Sequence, residues 1–181
     1  QAELIVLVGG PGQAEQIKAI EKEILNYEEN DQGKLWKKIA RIYYQLTPSR
    51  REDAMRCLRT AGEKDADQVY TIGLFELARE AENELEMQAQ VDEAANRFGK
   101  NTPVPQFLEA RYLLWKYQQD PEKGKRMRLV QTADRLADQI AKRRPKWQRL
   151  LELKGSIQEL QGDFNAAIDF YQESIDAGPL D

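Results

Sequence analysis

From residue 13 almost to its end the chain sets an apolar side chain every three or four residues, and that period admits one kind of backbone. Ile17, Ile20, Ile24 and Tyr27 step by 3, 4 and 3, with Glu15, Lys18, Glu21 and Glu23 between them. A helix of 3.6 residues per turn gathers such positions on one face, whereas a strand would scatter them over both. Trp36, Ile39, Ala40, Tyr43 and Leu46 repeat the pattern up to Thr47-Pro48, where proline interrupts the ladder. Ser49-Arg50-Arg51-Glu52 reads as a capping box opening a third helix through Ala54, Leu58 and Ala61. A fourth helix is expected over 66–79, and a fifth over 82–98, stopped by Gly99. Thr102-Pro103 opens a sixth through Phe107, Ala110, Leu114 and Tyr117, and Asp120-Pro121-Glu122 a seventh with the stripe Leu129, Ala133, Leu136, Ala137, Ile140. Pro145 precedes an eighth, containing Trp147, Leu150, Leu151 and Ile157, and Gly162-Asp163 turns into a ninth that ends at Gly178-Pro179. Nine helices and no strand pair predict an all-α chain.

The composition says how such helices must behave. Charged residues make up 32% of the 181 and hydrophobic ones 41%, so each helix carries a narrow apolar stripe and a wide solvated face. The chain has no histidine, which removes Ser-His and Cys-His nucleophile pairs, an imidazole base and His-ligated metal. Its single cysteine, Cys57, excludes an internal disulfide and a multi-thiolate metal site. Much of enzymology is thereby removed, and no catalytic, cofactor-binding or metal-binding residue is singled out. The longest apolar run, residues 4–8, is far short of the ~20 residues of a membrane span, so no membrane insertion is expected. With Gln1 in place of an initiator Met, the sequence reads as a fragment or a processed product.

Within this helical chain certain residues recur at fixed places. Gly155 is followed by Ala167, then Tyr171, then Pro179, with Gly162-Asp163-Phe164 at the turn between. Trp36-x2-Ile39-Ala40-x2-Tyr43 follows the pattern W-x2-L-G-x2-Y, and Val69-x2-Ile72-Gly73-x2-Glu76 is a weaker copy. The small residues Ala40, Gly73, Ala110 and Gly155 stand 33, 37 and 45 apart. On these motifs the sequence resembles the tetratricopeptide repeat (TPR) family over nearly its whole length. The resemblance implies an α-solenoid of stacked antiparallel helix pairs forming a right-handed superhelix. Units are expected at about 33–62, 66–98, 103–143 and 146–178 within a repeat domain over 13–181. Residues 1–12 form an N-terminal tail, or the remnant of an upstream element. Thr47-Pro48 lengthens one turn, and the 120–125 link with its long following helix stretches another unit.

Other motifs reduce to simpler readings. Residues 4–13, Leu-Ile-Val-Leu-Val-Gly-Gly-Pro-Gly-Gln, look like the strand and glycine loop of a nucleotide kinase, but Glu15 stands where a phosphate-binding lysine belongs. No further strands exist to build the sheet such a loop needs. Residues 63–97 carry ten acids against Lys64, Arg79 and Arg97, while 120–149 carry ten bases against four acids. Alternating acids such as Glu80, Glu82, Glu84 and Glu86 point to different faces and read as solvation. The basic run 142–149 lies at an inter-helix turn without exposed aromatics interleaved, and the net charge is −4, so no nucleic-acid partner is expected. Trp147 is expected in the core of the eighth helix.

The resemblance also implies a function: protein–protein interaction or scaffolding without catalysis, a peptide or partner protein docking in a concave groove lined by the first helices. Helical spacing from the small residues selects Lys37, Arg41 and Tyr44, then Tyr70, Leu74 and Leu77, then Phe107, Arg111 and Leu114, and lastly Glu152, Ser156 and Glu159, with Arg149 one turn earlier. The partner-binding set is Lys37, Arg41, Tyr44, Tyr70, Phe107, Arg111 and Arg149. Lys37 matches one position of the basic-plus-Asn clamp with which some family members hold chaperone tails, but Arg41 stands where the Asn is expected. An acidic peptide with apolar anchors is the expected ligand, and self-association is expected through the N-terminal end. The alternative is a regulatory or anchoring module of a larger enzyme or membrane-associated protein whose active part lies outside this fragment.

Overall fold

The computed structural model describes residues 12–46, 50–64, 68–119, 122 and 127–178. The glycine loop and most of the N-terminal tail, the Thr47-Pro48 turn, most of the 120–125 link and Pro179 lie outside them. Nine helices and no strand occupy the described residues, so the chain is all-α. They are α1 Gln13–Ile24, α2 Glu29–Leu46, α3 Arg51–Lys64, α4 Gln68–Glu80, α5 Glu84–Phe98, α6 Pro103–Gln119, α7 Met127–Ala141, α8 Gln148–Gln161 and α9 Phe164–Asp176. Asn83 and Asp163 cap α5 and α9, their carboxamide and carboxylate oxygens accepting from the amides of Glu86 and Ala166 at 3.1 Å. Gly162 ends α8 at φ 87°, where a side chain would be strained. There the Gly162 and Asp163 amides donate back to the Glu159 and Gln158 carbonyls at 3.1 and 2.9 Å, closing a tight α8–α9 hairpin.

The chain divides into two compact units, residues 1–81 and 82–181. That boundary falls inside the expected 66–98 repeat: α4 packs on α3, and α5 packs on α6. The pairs α2–α3, α6–α7 and α8–α9 are the most extensive.

In the first unit Trp36, Ile39, Ala40, Ile42 and Tyr43 of α2 meet Ala54, Cys57 and Ala61 of α3 and Tyr70 and Leu77 of α4. Ile17 and Ile24 of α1 are in the same core, at 0% and 2% exposure. Full burial of such a side chain is worth about 1.5–3 kcal/mol, enough to hold a twelve-residue helix that would be marginal alone. Ion pairs give the directions. Glu29 at the start of α2 meets Lys64 at the end of α3 at 3.0 Å, and Arg51 at the start of α3 meets Glu80 at the end of α4 at 3.7 Å. Each neighbour is antiparallel to the next, so α2 and α4 run parallel.

The second unit is built likewise. Glu84 at the start of α5 meets Lys116 late in α6 at 3.1 Å, and Asp138 of α7 meets Lys154 of α8 at 2.9 Å. Arg143 after α7 donates to the Asn101 carbonyl before α6 at 2.6 Å. The buried stripe of α7 is Val130, Ala133, Ala137 and Ile140; the expected Leu129 and Leu136 lie half-buried at its edge. Two of the small residues lie close against a neighbouring helix. A Cβ on Gly155 would stand 2.5 Å from the Tyr171 ring of α9, and one on Gly73 3.1 Å from a Leu58 methyl of α3. Ala40 and Ala110 are 2% and 0% exposed.

Candidate functional site

The candidate residues fall in both units. Lys37, Arg41 and Tyr44 step by 4 and 3 along α2 and are all exposed on one face. The parallel α4 meets this face at two levels. Lys37 Nζ lies 5.9 Å from the Tyr70 ring centroid, within range of a cation–π attraction. Two turns further, the Tyr44 hydroxyl donates to the Glu80 carboxylate, 2.9 Å from both oxygens, and this bond raises the phenol's pKa. Arg51 reaches the Glu80 carbonyl at 3.3 Å, so Glu80 is already held by its own unit.

Tyr70 itself is not a groove residue. It is 2% exposed and belongs to the core, as do the expected lining residues Leu74 and Leu77. The physical reason is the composition of α4: Tyr70, Thr71, Ile72, Leu74, Phe75, Leu77 and Ala78 are all buried, so the helix is enclosed on several sides. Spacing alone does not separate a binding face from a packing face on such a helix.

The second unit gives the same correction at Phe107. It is 3% exposed, its ring centroid 5.1 Å from that of Trp147 at 58°. Trp147 precedes α8 as its N-cap residue instead of packing within it, and the Arg144 guanidinium lies 5.5 Å from its ring centroid. Leu114 is buried, and Arg111 and Arg149 are half-buried. Tyr171 of α9 donates to Ser156 Oγ at 3.3 Å or Glu159 Oε2 at 3.0 Å, so these expected groove positions serve the α8–α9 hairpin. Burial raises the Tyr171 pKa, and the Arg111 charge opposes the rise.

Two features escape helical spacing. The first lies between α1 and α3, where Glu21 receives Arg56 through both guanidinium nitrogens at 2.8 and 3.2 Å. Beside it Cys57 is fully buried, its Sγ donating to Glu21 at 3.7 Å. Burial, then the Glu21 charge, pushes the thiol pKa up to about 12, so Cys57 is a packing residue and a poor nucleophile. The second is a cavity of about 310 Å³ where the start of α6 meets the end of α7, lined by Asn101, Gln106, Gln139, Lys142 and Arg143. The basic run of 142–149 is the only signal of it in the sequence; two glutamines 33 residues apart carry none.

Among the described residues no helix is long and apolar enough to cross a membrane. No group of three or more Cys, Asp or Glu side chains is placed there to hold a metal ion. Comparison with known proteins finds no matching family model, no matching curated protein and no matching solved structure.

Proposed function

We propose that the chain is a non-catalytic protein-interaction module, an α-solenoid of TPR-like helix pairs that holds an acidic peptide with apolar anchors against α2. The fold part of this reading is supported by the antiparallel pairs α2–α3, α3–α4, α5–α6 and α8–α9 and by Gly155 lying against Tyr171. The binding part is carried by one observation. Lys37 and Arg41 stand exposed on one face of α2, and among the described residues neither is paired with an acid. Two cations one turn apart on a rigid helix attract a carboxylate-bearing segment, and the exposed Tyr44 ring beside them offers an apolar contact.

The test does not require the natural partner to be in hand. Peptides selected from a random library against the full chain should be rich in Asp and Glu with one or two apolar residues. Lys37→Glu combined with Arg41→Glu should weaken them at least tenfold, about 1.4 kcal/mol, with an unchanged melting curve. Selected peptides that bind the double variant equally well would place recognition elsewhere.

A further inference from the structure

Three large apolar side chains of α9 stand in solvent. Phe164, Ile168 and Ile175 are 64%, 63% and 69% exposed, and steps of 4 and 7 set them along one side of the helix. They are additional to the face that α9 turns to α8, where Ala167 and Ser174 are buried and Tyr171 covers Gly155. Next to this stripe run Asp169, Glu173 and Asp176, all exposed, and α9 contains no Lys or Arg. Among the described residues no cation is paired with any of the three. An acidic segment with apolar anchors is what α2 is proposed to hold, and α9 is such a segment within the chain itself.

The spacings of the two helices match. Lys34, Lys37 and Arg41 of α2 are exposed and step by 3 and 4; Asp169, Glu173 and Asp176 step by 4 and 3. Laid antiparallel, the helices set Arg41 opposite Asp169, Lys37 opposite Glu173 and Lys34 opposite Asp176, over about 10 Å of axis. Lys34 already meets Asp31 at 3.5 Å, but that pair is exposed and weak. The same register carries the exposed Tyr44 ring opposite residue 166, between Phe164 and Ile168. A parallel register also pairs the charges, through Lys34, Lys38 and Arg41, but carries Tyr44 past the end of α9 and away from those anchors. Docking α9 on another α9 would set acid against acid. We infer that α9 of one copy docks antiparallel on α2 of a second copy. The contact is heterologous, so every copy offers both halves. One helix on one helix buries less than a standard interface, so the association is weak and salt-sensitive. The inference rests on the reading of α2 as the binding face and adds the occupant.

Sedimentation of the full chain should show an average mass that rises with concentration through the high micromolar range. The rise should shrink when salt goes from about 0.05 to about 0.5 M. Lys37→Glu with Arg41→Glu, and separately Asp169→Lys with Glu173→Lys, should each weaken self-association at least tenfold. Mixed, the two double variants should associate again, because the first supplies a native α9, the second a native α2, and the reversed halves also match. All four substitutions in one chain should restore self-association for the same reason. Ile168→Ser, which changes no charge, should weaken it several-fold. A chain that stays monomeric throughout, association that survives either charge reversal, or a mixture that fails to associate would overturn the inference. Library peptides that lose affinity in the Lys37/Arg41 double variant of a chain that never self-associates would sustain the α2 reading and remove only this occupant. Self-association abolished by that same variant, in a chain that selects no acidic peptide, would sustain the docking and remove the general peptide function.

Discussion

At Gly155 a single missing carbon sets how closely two helices approach. A Cβ there would lie 2.5, 2.7 and 2.9 Å from three atoms of the Tyr171 ring, a rigid group further held by Ser156 and Glu159. Gly155→Ala should therefore destabilise by about 1–3 kcal/mol, despite a helix-propensity gain of up to about 1 kcal/mol. Gly155→Leu should cost more. Chemical denaturation reads both, and the Ala loss should largely vanish in a Tyr171→Leu background, where the obstructing ring is gone. Gly73 offers the contrast: its neighbour at 3.1 Å is the end of the flexible Leu58 side chain, so Gly73→Ala should be close to neutral. The spacing of small residues in the sequence marked both positions, but it set Gly73 against the second helix of its own repeat, whereas its neighbour is Leu58 of α3. It did not distinguish the rigid neighbour from the yielding one, because that depends on which side chain arrives from the other helix.

The elements themselves were legible because their signals are local. Apolar period, capping residues and glycine stops lie within a few residues of each helix, and the α8–α9 hairpin shows all three. Asp163→Ala removes the only side-chain cap of α9 and should lower stability by about 1 kcal/mol, whereas Asp163→Asn should be nearly silent. Equal loss in both variants would mean that the charge, and not the acceptor oxygen, holds the helix end. What a helix packs against is not local. The expected 66–98 repeat would join α4 to α5 across a turn containing Glu82, a non-glycine residue at φ 53°, and the division into units falls just before that residue. Tyr70 and Phe107 were drawn into the candidate site by a periodicity that core and groove residues share. Lys37, Arg41 and Tyr44 remain exposed because α2 turns its apolar stripe of Trp36, Ile39 and Tyr43 to α3 and keeps a polar face in solvent.

For the molecule as a whole, the missing histidine shapes the response to pH. No side chain in the sequence has an ordinary pKa between about 5 and 8, so stability should be flat across neutrality. On the alkaline side Cys57 breaks that plateau. Its pKa rises from 9.0 to about 12, so the folded chain keeps a proton that the unfolded chain releases. The unfolded state then binds fewer protons, and stability falls as pH climbs from about 9 towards 12, by up to about 1.4 kcal/mol per pH unit. Tyr43, also raised by burial and by Glu21, adds to the fall at higher pH. Cys57→Ala, measured by denaturation against its own stability at pH 7, should show a shallower decline. An identical slope would assign the alkaline loss to the tyrosines. The same buried thiol is also a clock. It is the one sulfhydryl in the chain and is closed off where α1 meets α3, so a thiol reagent reaches it only when that packing opens. The rate of labelling under native conditions therefore counts openings of the first unit one molecule at a time, without any engineered reporter. Glu21→Ala, which releases the Arg56 tie, should make the clock run several-fold faster.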